Sequence, residues 1–253
     1  MRLPLALKLV ALPLVIGAHA YGQISASKEA TSSFEQGNRF YAANRLDEAI
    51  IQYNVAISAD PNYANAYYNR GNIRFIKGDL NGAYSDYSLA IQLSPNLAKA
   101  YSNRGFISKL RGNVEQAITD LSHAIRRDPT LSEAFNNRGV AYRELGNLDA
   151  ALDDFNSAIS LNGKLGDYYC NRGIARFMQG NMDGAIKDHT KAIGLAPNFA
   201  AAYSSRGIAR EAKGDLSGAI DDYNKAIEID PDFADARHRR AAAMEAKDSH
   251  ARR

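Results

Sequence analysis

The sequence has no tryptophan and only one cysteine, Cys170, among its 253 residues. A lone thiol cannot close an internal disulfide, so the hydrophobic core has to hold the fold together. The histidines do not recur at the spacing of a metal site, and no phosphate-binding loop of the GxxxxGK[ST] type is found. Because the usual sequence signs of an enzyme are missing, we expect no catalytic residue, no metal ion and no cofactor.

A strong charge of either sign is also lacking. The chain has 31 lysines and arginines against 28 acidic residues, which gives a net charge of +3 at pH 7. This balance provides no long-range attraction for nucleic acid or for an anionic membrane. We therefore expect no nucleic-acid partner, and we interpret the locally basic end of the chain, with a tail over 248–253, as a solvated terminus.

Long apolar runs are limited to the N-terminus, where Arg2 and Lys8 are followed by an apolar stretch over 9–18 and a small-x-small sequence. This order is typical of a secretory signal peptide, which we predict over 1–20, with a linker over 21–29. The mature protein is then exported to the periplasm or, as an alternative, secreted, and it has no membrane span. Retention as an anchor is the other interpretation, but a spanning helix needs about 20 apolar residues.

What the chain does contain is a segment repeated every 34 residues. Its marker, Asn-Arg-Gly, begins at Asn69, Asn103, Asn137 and Asn171, and a Ser-Arg-Gly variant begins at Ser205. The period defines six units, 30–63, 64–97, 98–131, 132–165, 166–199 and 200–233, followed by a capping helix over 234–247. Each unit shows two helical patterns, separated in five of the six by a Gly-Asp or Gly-Asn turn. Units of this kind bury their apolar faces by stacking into a solenoid.

Small residues recur where the helices of a unit are expected to touch. We predict that Gly71 and its equivalents face Ala83 and its equivalents in the second helix. His189 occupies a place where four other units carry an aromatic ring, so we interpret it as a ring of the core rather than as a ligand. Cys170 is interpreted as a small packed residue.

The repeat resembles the tetratricopeptide repeat family over residues 30 to about 247. It has the early aromatic residue, the glycine in the eighth place, the alanines in the twentieth and twenty-seventh places, and in most units the closing proline. The resemblance implies an exported bacterial member with an all-α, right-handed superhelical solenoid of six antiparallel helix pairs. It also implies a non-catalytic scaffold that binds proteins or peptide segments in its concave groove.

An arginine in the seventh place departs from the family pattern, which has an aliphatic residue there. An aspartate follows each of these arginines by 16 residues: Arg70 and Asp86, Arg104 and Asp120, Arg138 and Asp154, Arg172 and Asp188, Arg206 and Asp222. Because these places face each other in the family fold, we predict an ion pair inside each unit. The alternative is a row of arginines that binds an anionic ligand.

The asparagines in the sixth place suggest a binding surface. In the family, the first helices line the concave face, where a ladder of carboxamides can bond the backbone of an extended peptide. The resemblance implies this role for Asn69, Asn103, Asn137 and Asn171. The other interpretation is that these amides stabilise neighbouring loops and helices.

Other inward places would give the surface its sequence preference. The ninth place carries Asn38, Asn72, Phe106, Val140 and Ile174, and the twelfth carries Phe75, Lys109, Arg143 and Phe177. We predict a ligand segment with apolar residues and an acidic group held by Lys109 or Arg143. A well-solvated inner face could show the same residues.

Two other functional classes stay open. The chain could be an assembly subunit of the cell envelope that uses its convex face or its basic end, where the capping helix is expected to carry Arg237, Arg239 and Arg240 outward. An enzyme is the remaining class, although the repeats leave no segment for a catalytic domain.

Overall fold

The computed structural model describes residues 27–251. The predicted signal peptide over 1–20, most of the predicted linker and residues 252–253 of the predicted tail lie outside the described residues. The described part contains thirteen α-helices and no strand. The helices are α1 (Lys28–Ala42), α2 (Leu46–Ala59), α3 (Ala64–Ile76), α4 (Leu80–Leu93), α5 (Ala98–Leu110), α6 (Val114–Arg127), α7 (Ser132–Glu144), α8 (Leu148–Leu161), α9 (Gly166–Met178), α10 (Met182–Leu195), α11 (Ala200–Ala212), α12 (Leu216–Ile229) and α13 (Ala234–Ala251).

The chain divides into an N-terminal unit that ends at Asp128 and a C-terminal unit that begins at Pro129. The N-terminal unit consists of the helix pairs α1/α2, α3/α4 and α5/α6. The C-terminal unit consists of α7/α8, α9/α10 and α11/α12, with α13 packed on α12. Within each unit, the second helix of one pair packs on the first helix of the next. The predicted all-α fold of consecutive helix pairs is confirmed.

The turns inside the pairs use the predicted residues. Five glycines have a positive φ of 76° to 83°, as a left-handed helix end requires: Gly78, Gly112, Gly146, Gly180 and Gly214. In the first pair, Asn44 takes this conformation with φ 57°. The next residue accepts a bond from the helix N-terminus at Asp79, Asn147, Asn181 and Asp215, whereas Asn113 makes no such bond.

In five of the six pairs, the core lies between the first helix and a ring from the second, and α5/α6 has Leu121 in place of the ring. A Cβ atom on Gly71 would lie 2.9 Å from the ring of Tyr87, and one on Gly173 would lie 2.7 Å from the ring of His189. The eighth-place glycine therefore makes room mainly for this side chain, and the predicted approach to the alanine is also found, since a Cβ atom on Gly139 would lie 3.1 Å from the backbone oxygen of Ala151. His189 is 1% exposed, which confirms it as a ring of the core.

The outer boundaries differ from those expected. Helix α1 begins at Lys28, inside the predicted linker, because Ser27 caps it through the backbone N–H of Ala30 at 3.1 Å. Helix α13 continues to Ala251, beyond the expected end at 247. No proline or glycine follows residue 247 to stop the helix.

Candidate binding surface

In five of the six helix pairs, the first helix holds the second through an ion pair. Arg70 Nε donates to Asp86 Oδ2 at 2.9 Å, and its Nη2 donates to Asp86 Oδ1 at 2.7 Å. The same two-bond contact joins Arg104 to Asp120, Arg138 to Asp154, Arg172 to Asp188 and Arg206 to Asp222. The aspartate side chains are 1–6% exposed and the arginine side chains 14–19%. The predicted pairs are confirmed, and these arginines are turned into the fold rather than toward an anionic ligand.

A second arginine joins the pair in three cases, which sequence reasoning missed. Arg74 Nη1 donates to Asp86 Oδ2 at 2.9 Å. Arg176 and Arg210 bind Asp188 and Asp222 in the same way, at 2.8 and 2.9 Å. The signal was in the sequence, because a residue four positions after the first arginine lies on the same helix face.

The first arginine also reaches the preceding pair. Its Nη1 atom donates to a side chain of the preceding second helix: Arg70 to Asn54, Arg104 to Ser88, Arg172 to Asn156 and Arg206 to Thr190. These distances are 2.6 to 3.3 Å. One guanidinium therefore ties three helices together.

In the N-terminal unit, the predicted asparagines are joined to one another. Asn69 Nδ2 donates to Asn38 Oδ1 at 2.9 Å, and the Tyr53 hydroxyl donates to the same oxygen at 2.7 Å. Asn69 is fully buried. The amide of Asn69 thus has the structural role that the sequence left open as an alternative.

The next pair repeats this arrangement. Asn103 Nδ2 donates to Asn72 Oδ1 at 3.0 Å, and the Tyr87 hydroxyl donates to that oxygen at 2.8 Å. Asn72 and Tyr87 are fully buried, and burial raises the pKa of the Tyr87 hydroxyl well above its ordinary value. Asn103 is only half-buried, and its carbonyl oxygen has no hydrogen-bond donor among the described residues.

Aromatic and cationic side chains lie on the same helices. The rings of Phe75 and Phe106 are 5.9 Å apart, edge to face, and Lys109 Nζ lies 5.2 Å from the centre of the Phe106 ring. Phe75 is buried, whereas Phe106 and Lys109 are half-buried. The structure thus brings the predicted residues of the N-terminal unit together in three groups, which are Asn38 with Asn69, Asn72 with Asn103, and Phe75 with Phe106 and Lys109.

The predicted residues of the C-terminal unit are less connected. Val140 packs with Phe155, and Ile174 packs against the cluster around Cys170. Phe177 is half-buried. Cys170 is 4% exposed and burial raises its pKa to about 12, so the thiol packs as predicted and is unreactive.

The amides of this unit have partners that differ from those of the first. Asn171 Nδ2 donates to Asn136 Oδ1 at 3.0 Å, and sequence reasoning had not singled out Asn136. Asn137 is half-buried, and its side chain makes no hydrogen bond within residues 27–251. Its amide therefore has both a donor and an acceptor to offer.

Arg143 is the predicted cation of this unit. It is half-buried, its Nη1 is enclosed without a hydrogen-bond partner in the described part, and desolvation lowers its pKa. A guanidinium in this condition gains from a carboxylate brought by a ligand.

Two of the three cations expected to point outward from α13 form hydrogen bonds to other side chains. Arg239 donates to Asp235 at 2.9 Å and Arg240 donates to Asn224 at 3.1 Å, and both are half-buried. Arg237 alone of the three is exposed. Both bonds form because an acceptor lies within side-chain reach, one on α13 itself and one on α12.

Two absences apply to residues 27–251. These residues contain no group of three histidine, cysteine or acidic side chains arranged to hold a metal ion. None of their helices combines the length and the apolar character that crossing a bilayer demands.

Comparison with known proteins identifies the repeat. The family pattern described as "TPR repeat" matches residues 37–75, 71–110 and 211–248. Patterns described as "Tetratricopeptide repeat" match 132–165 and 166–199, and a third matches 98–131. No curated protein matches this chain.

Several solved structures are similar to the chain. A chain of the APC/C hetero-tetramer Cut9-Hcn1 is 21% identical, with a TM-score of 0.76 over 85% of this chain; the match spans only 42% of that longer chain. YrrB, described as a TPR protein with an unusual peptide-binding site, is 24% identical, with a TM-score of 0.60 over 74% of this chain and 96% of its own. The MamA protein is 30% identical, with a TM-score of 0.58 over 68% of this chain and 94% of its own.

Proposed function

Because the chain belongs to the tetratricopeptide repeat family, it is a protein-interaction scaffold, and we propose that it binds extended segments of partner proteins along its first helices. The observation that carries this proposal is the side-chain amide of Asn137, which makes no hydrogen bond within residues 27–251. A half-buried carboxamide with a free donor and a free acceptor matches one peptide unit of an extended chain.

The neighbouring asparagines support the same mode of binding. The NH₂ groups of Asn103 and Asn171 are bonded to the fold, so their carbonyl oxygens are held in place and remain available. A fixed acceptor favours a peptide N–H donor, because little side-chain entropy is lost on binding. Asn69 and Asn72 are buried and contribute by positioning Asn38 and Asn103.

Each unit by itself has a site that suits a side chain of a bound segment. In the N-terminal unit, the half-buried ring of Phe106 beside Lys109 fits an apolar residue. In the C-terminal unit, the desolvated Arg143 fits a carboxylate. Phe75, Val140, Ile174 and Phe177 supply the apolar surroundings.

Selection of phage-displayed 12-residue peptides on the full chain tests this function. We expect the enriched peptides to combine apolar residues with an acid, and to lose most of their binding to Asn137→Ala. Asn113→Ala is the matched control, because Asn113 is exposed and forms no cap bond. Selection without enrichment, or equal binding to both variants, would contradict the proposal.

We also propose that the protein acts after export, in the periplasm or outside the cell. The N-terminal pattern of charge, apolar run and small residues supports this location. Mass spectrometry of the protein from a bacterial expression host should give a chain that begins at Tyr21. A chain that retains residues 1–20 would argue for an anchor or for a protein that is not exported.

One observation favours a second candidate, assembly through the outer side of the first pair. Ile51 and Val55 on α2 are 56% and 38% exposed, and they line a shallow depression with Glu29. Exposed apolar side chains in a depression are typical of protein contacts. If Ile51→Glu abolishes an interaction that Asn137→Ala leaves intact, this outer surface is the functional one.

A further inference from the structure

Helix α13 repeats the register of a first helix. Its Arg237, Arg240, Ala241 and Met244 come 34 residues after Tyr203, Arg206, Gly207 and Arg210 of α11. In α11, Arg206, Gly207 and Arg210 face α12, whose Asp222 binds both arginines. The sequence of α13 thus corresponds to the first helix of a pair, which in the other pairs packs against a second helix.

The face of α13 that would receive this helix is exposed. Ala236 and Ala243 are buried, the latter against Tyr223, and they form the inner face. Arg237 and Ala241 are exposed, and Met244 is 50% exposed. No helix of the described part covers them, whereas the equivalent face of α11 is covered by α12.

The side chain of Arg240 has the same position relative to the preceding helix as the side chain of Arg206. Its Nη1 donates to Asn224 on the preceding helix at 3.1 Å, as Arg206 Nη1 donates to Thr190. In Arg206, the Nε atom then binds Asp222 at 3.0 Å. In Arg240, the Nε atom is enclosed and has no hydrogen-bond partner within the described residues. The fold therefore defines the position of a carboxylate beside Arg240, and no carboxylate of residues 27–251 occupies it.

We propose that this face of α13 binds an amphipathic, acidic helix of a partner protein. The incoming aspartate occupies the place beside Arg240 that Asp222 has beside Arg206. Arg237 and Arg240 give the face a positive charge, which favours an acidic helix. The chain's own second helices show the pattern that fits such a face: an aspartate with an alanine three residues before it and another four residues after it, as in Ala219, Asp222 and Ala226.

Ala241 adds a condition on the residue that follows this aspartate. A Cβ atom on Gly207 would lie only 2.7 Å from the ring of Tyr223. Position 241 carries such a Cβ atom, so an aromatic ring is excluded from the equivalent place in the partner helix. The partner helix therefore has a small residue directly after its aspartate, which distinguishes it from the second helices of this chain.

The test uses a labelled synthetic peptide of residues 214–231 in which Tyr223 is replaced by alanine. Fluorescence anisotropy measures its binding to the full chain. A second peptide carries the further change Asp222→Asn, and a third keeps Tyr223. The protein variants are Arg240→Gln and, as a matched control on the same helix, Arg239→Gln, whose cation already binds Asp235.

We expect the first peptide to bind, and both Asp222→Asn and Arg240→Gln to weaken binding about tenfold or more. Arg239→Gln should leave binding within about twofold, and circular dichroism should show both variants folded. Absence of binding, or equal binding of the aspartate and asparagine peptides, would overturn the proposal. Equal binding of the peptide that keeps Tyr223 would overturn the small-residue condition. Sedimentation showing a dimer that Arg240→Gln dissociates would instead assign the face to a second copy of the chain.

Discussion

The two units of the molecule share their ion pairs but differ in the polarity of their cores. In the N-terminal unit, the rings that pack on the first helices include Tyr53 and Tyr87, and each buried hydroxyl donates to an asparagine in the ninth place. Asn38 and Asn72 serve this purpose and also accept a bond from the next pair. The N-terminal core therefore contains a polar network.

The C-terminal unit solves the same packing problem without hydroxyls at two of its three pairs. Phe155 faces Val140 in the ninth place, and His189 shares its pair with Ile174. In the third pair, Tyr223 donates to Glu211 at 2.6 Å instead. The comparison teaches that a ninth-place asparagine occurs where a tyrosine hydroxyl needs an acceptor, whereas the sixth-place Asn103 and Asn171 use their NH₂ groups to bond the preceding pair.

The largest effect should come from the feature that both units share. Asp120→Leu in the N-terminal unit and Asp154→Leu in the C-terminal unit each leave a half-buried arginine without its carboxylate. We expect each to lower the free energy of unfolding by about 3 kcal/mol. Urea denaturation measures both.

Removing the arginine as well should restore most of this loss. Arg104→Leu with Asp120→Leu, and Arg138→Leu with Asp154→Leu, are expected within about 1 kcal/mol of the wild type. If the single changes are harmless in one unit only, the ion pairs are not equivalent in the two units.

The next effect is a pH dependence of stability that comes from His189 in the C-terminal unit. Burial lowers the pKa of His189 to about 4, so the native protein resists protonation while the unfolded chain binds a proton below about pH 6.5. Stability from this residue is present above pH 6.5 and is lost as the pH falls toward 4, by about 2 kcal/mol at pH 5. His189→Phe, which copies the ring of Phe155, should remove this part of the pH dependence. Parallel stability curves for the two proteins between pH 7 and 5 would contradict the assignment.

A smaller effect tests the polar network. Asn72→Val leaves the buried Tyr87 hydroxyl without its acceptor, which should cost about 1.5 kcal/mol of stability. Adding Tyr87→Phe converts the pair to the chemistry of Val140 and Phe155 and should recover most of the loss. A double variant as unstable as the single one would show that Asn72 acts through Asn103 rather than through the ring.

The smallest expected effect lies in the turns. Asn44 takes the left-handed conformation that glycine adopts in the other five pairs, including Gly146. Asn44→Gly should raise stability by about 0.5 kcal/mol, and Gly146→Asn should lower it by a similar amount. Thermal unfolding of the two variants checks these opposite signs.

The features predicted from the sequence are those set by spacing within one repeat. The helix pairs, the glycine turns and the pairing of Arg70 with Asp86 follow from the period and from local charge. The partners of Asn69 and Asn171 could not be predicted in this way, because each lies in the preceding helix pair. Which hydrogen-bonding groups of an amide are used depends on the adjacent helix pair, as the buried Asn72 and the half-buried Asn137 illustrate.

The arginine that ties three helices has a consequence for how such a chain can grow. In four of the six modules, one guanidinium binds an acceptor of the preceding module and the carboxylate of its own module, so both halves of these joints travel with the module. A duplicated copy would find its connections ready on arrival, without compensating changes elsewhere. The position of the seventh-place arginine thus allows a chain of this kind to be lengthened by whole modules.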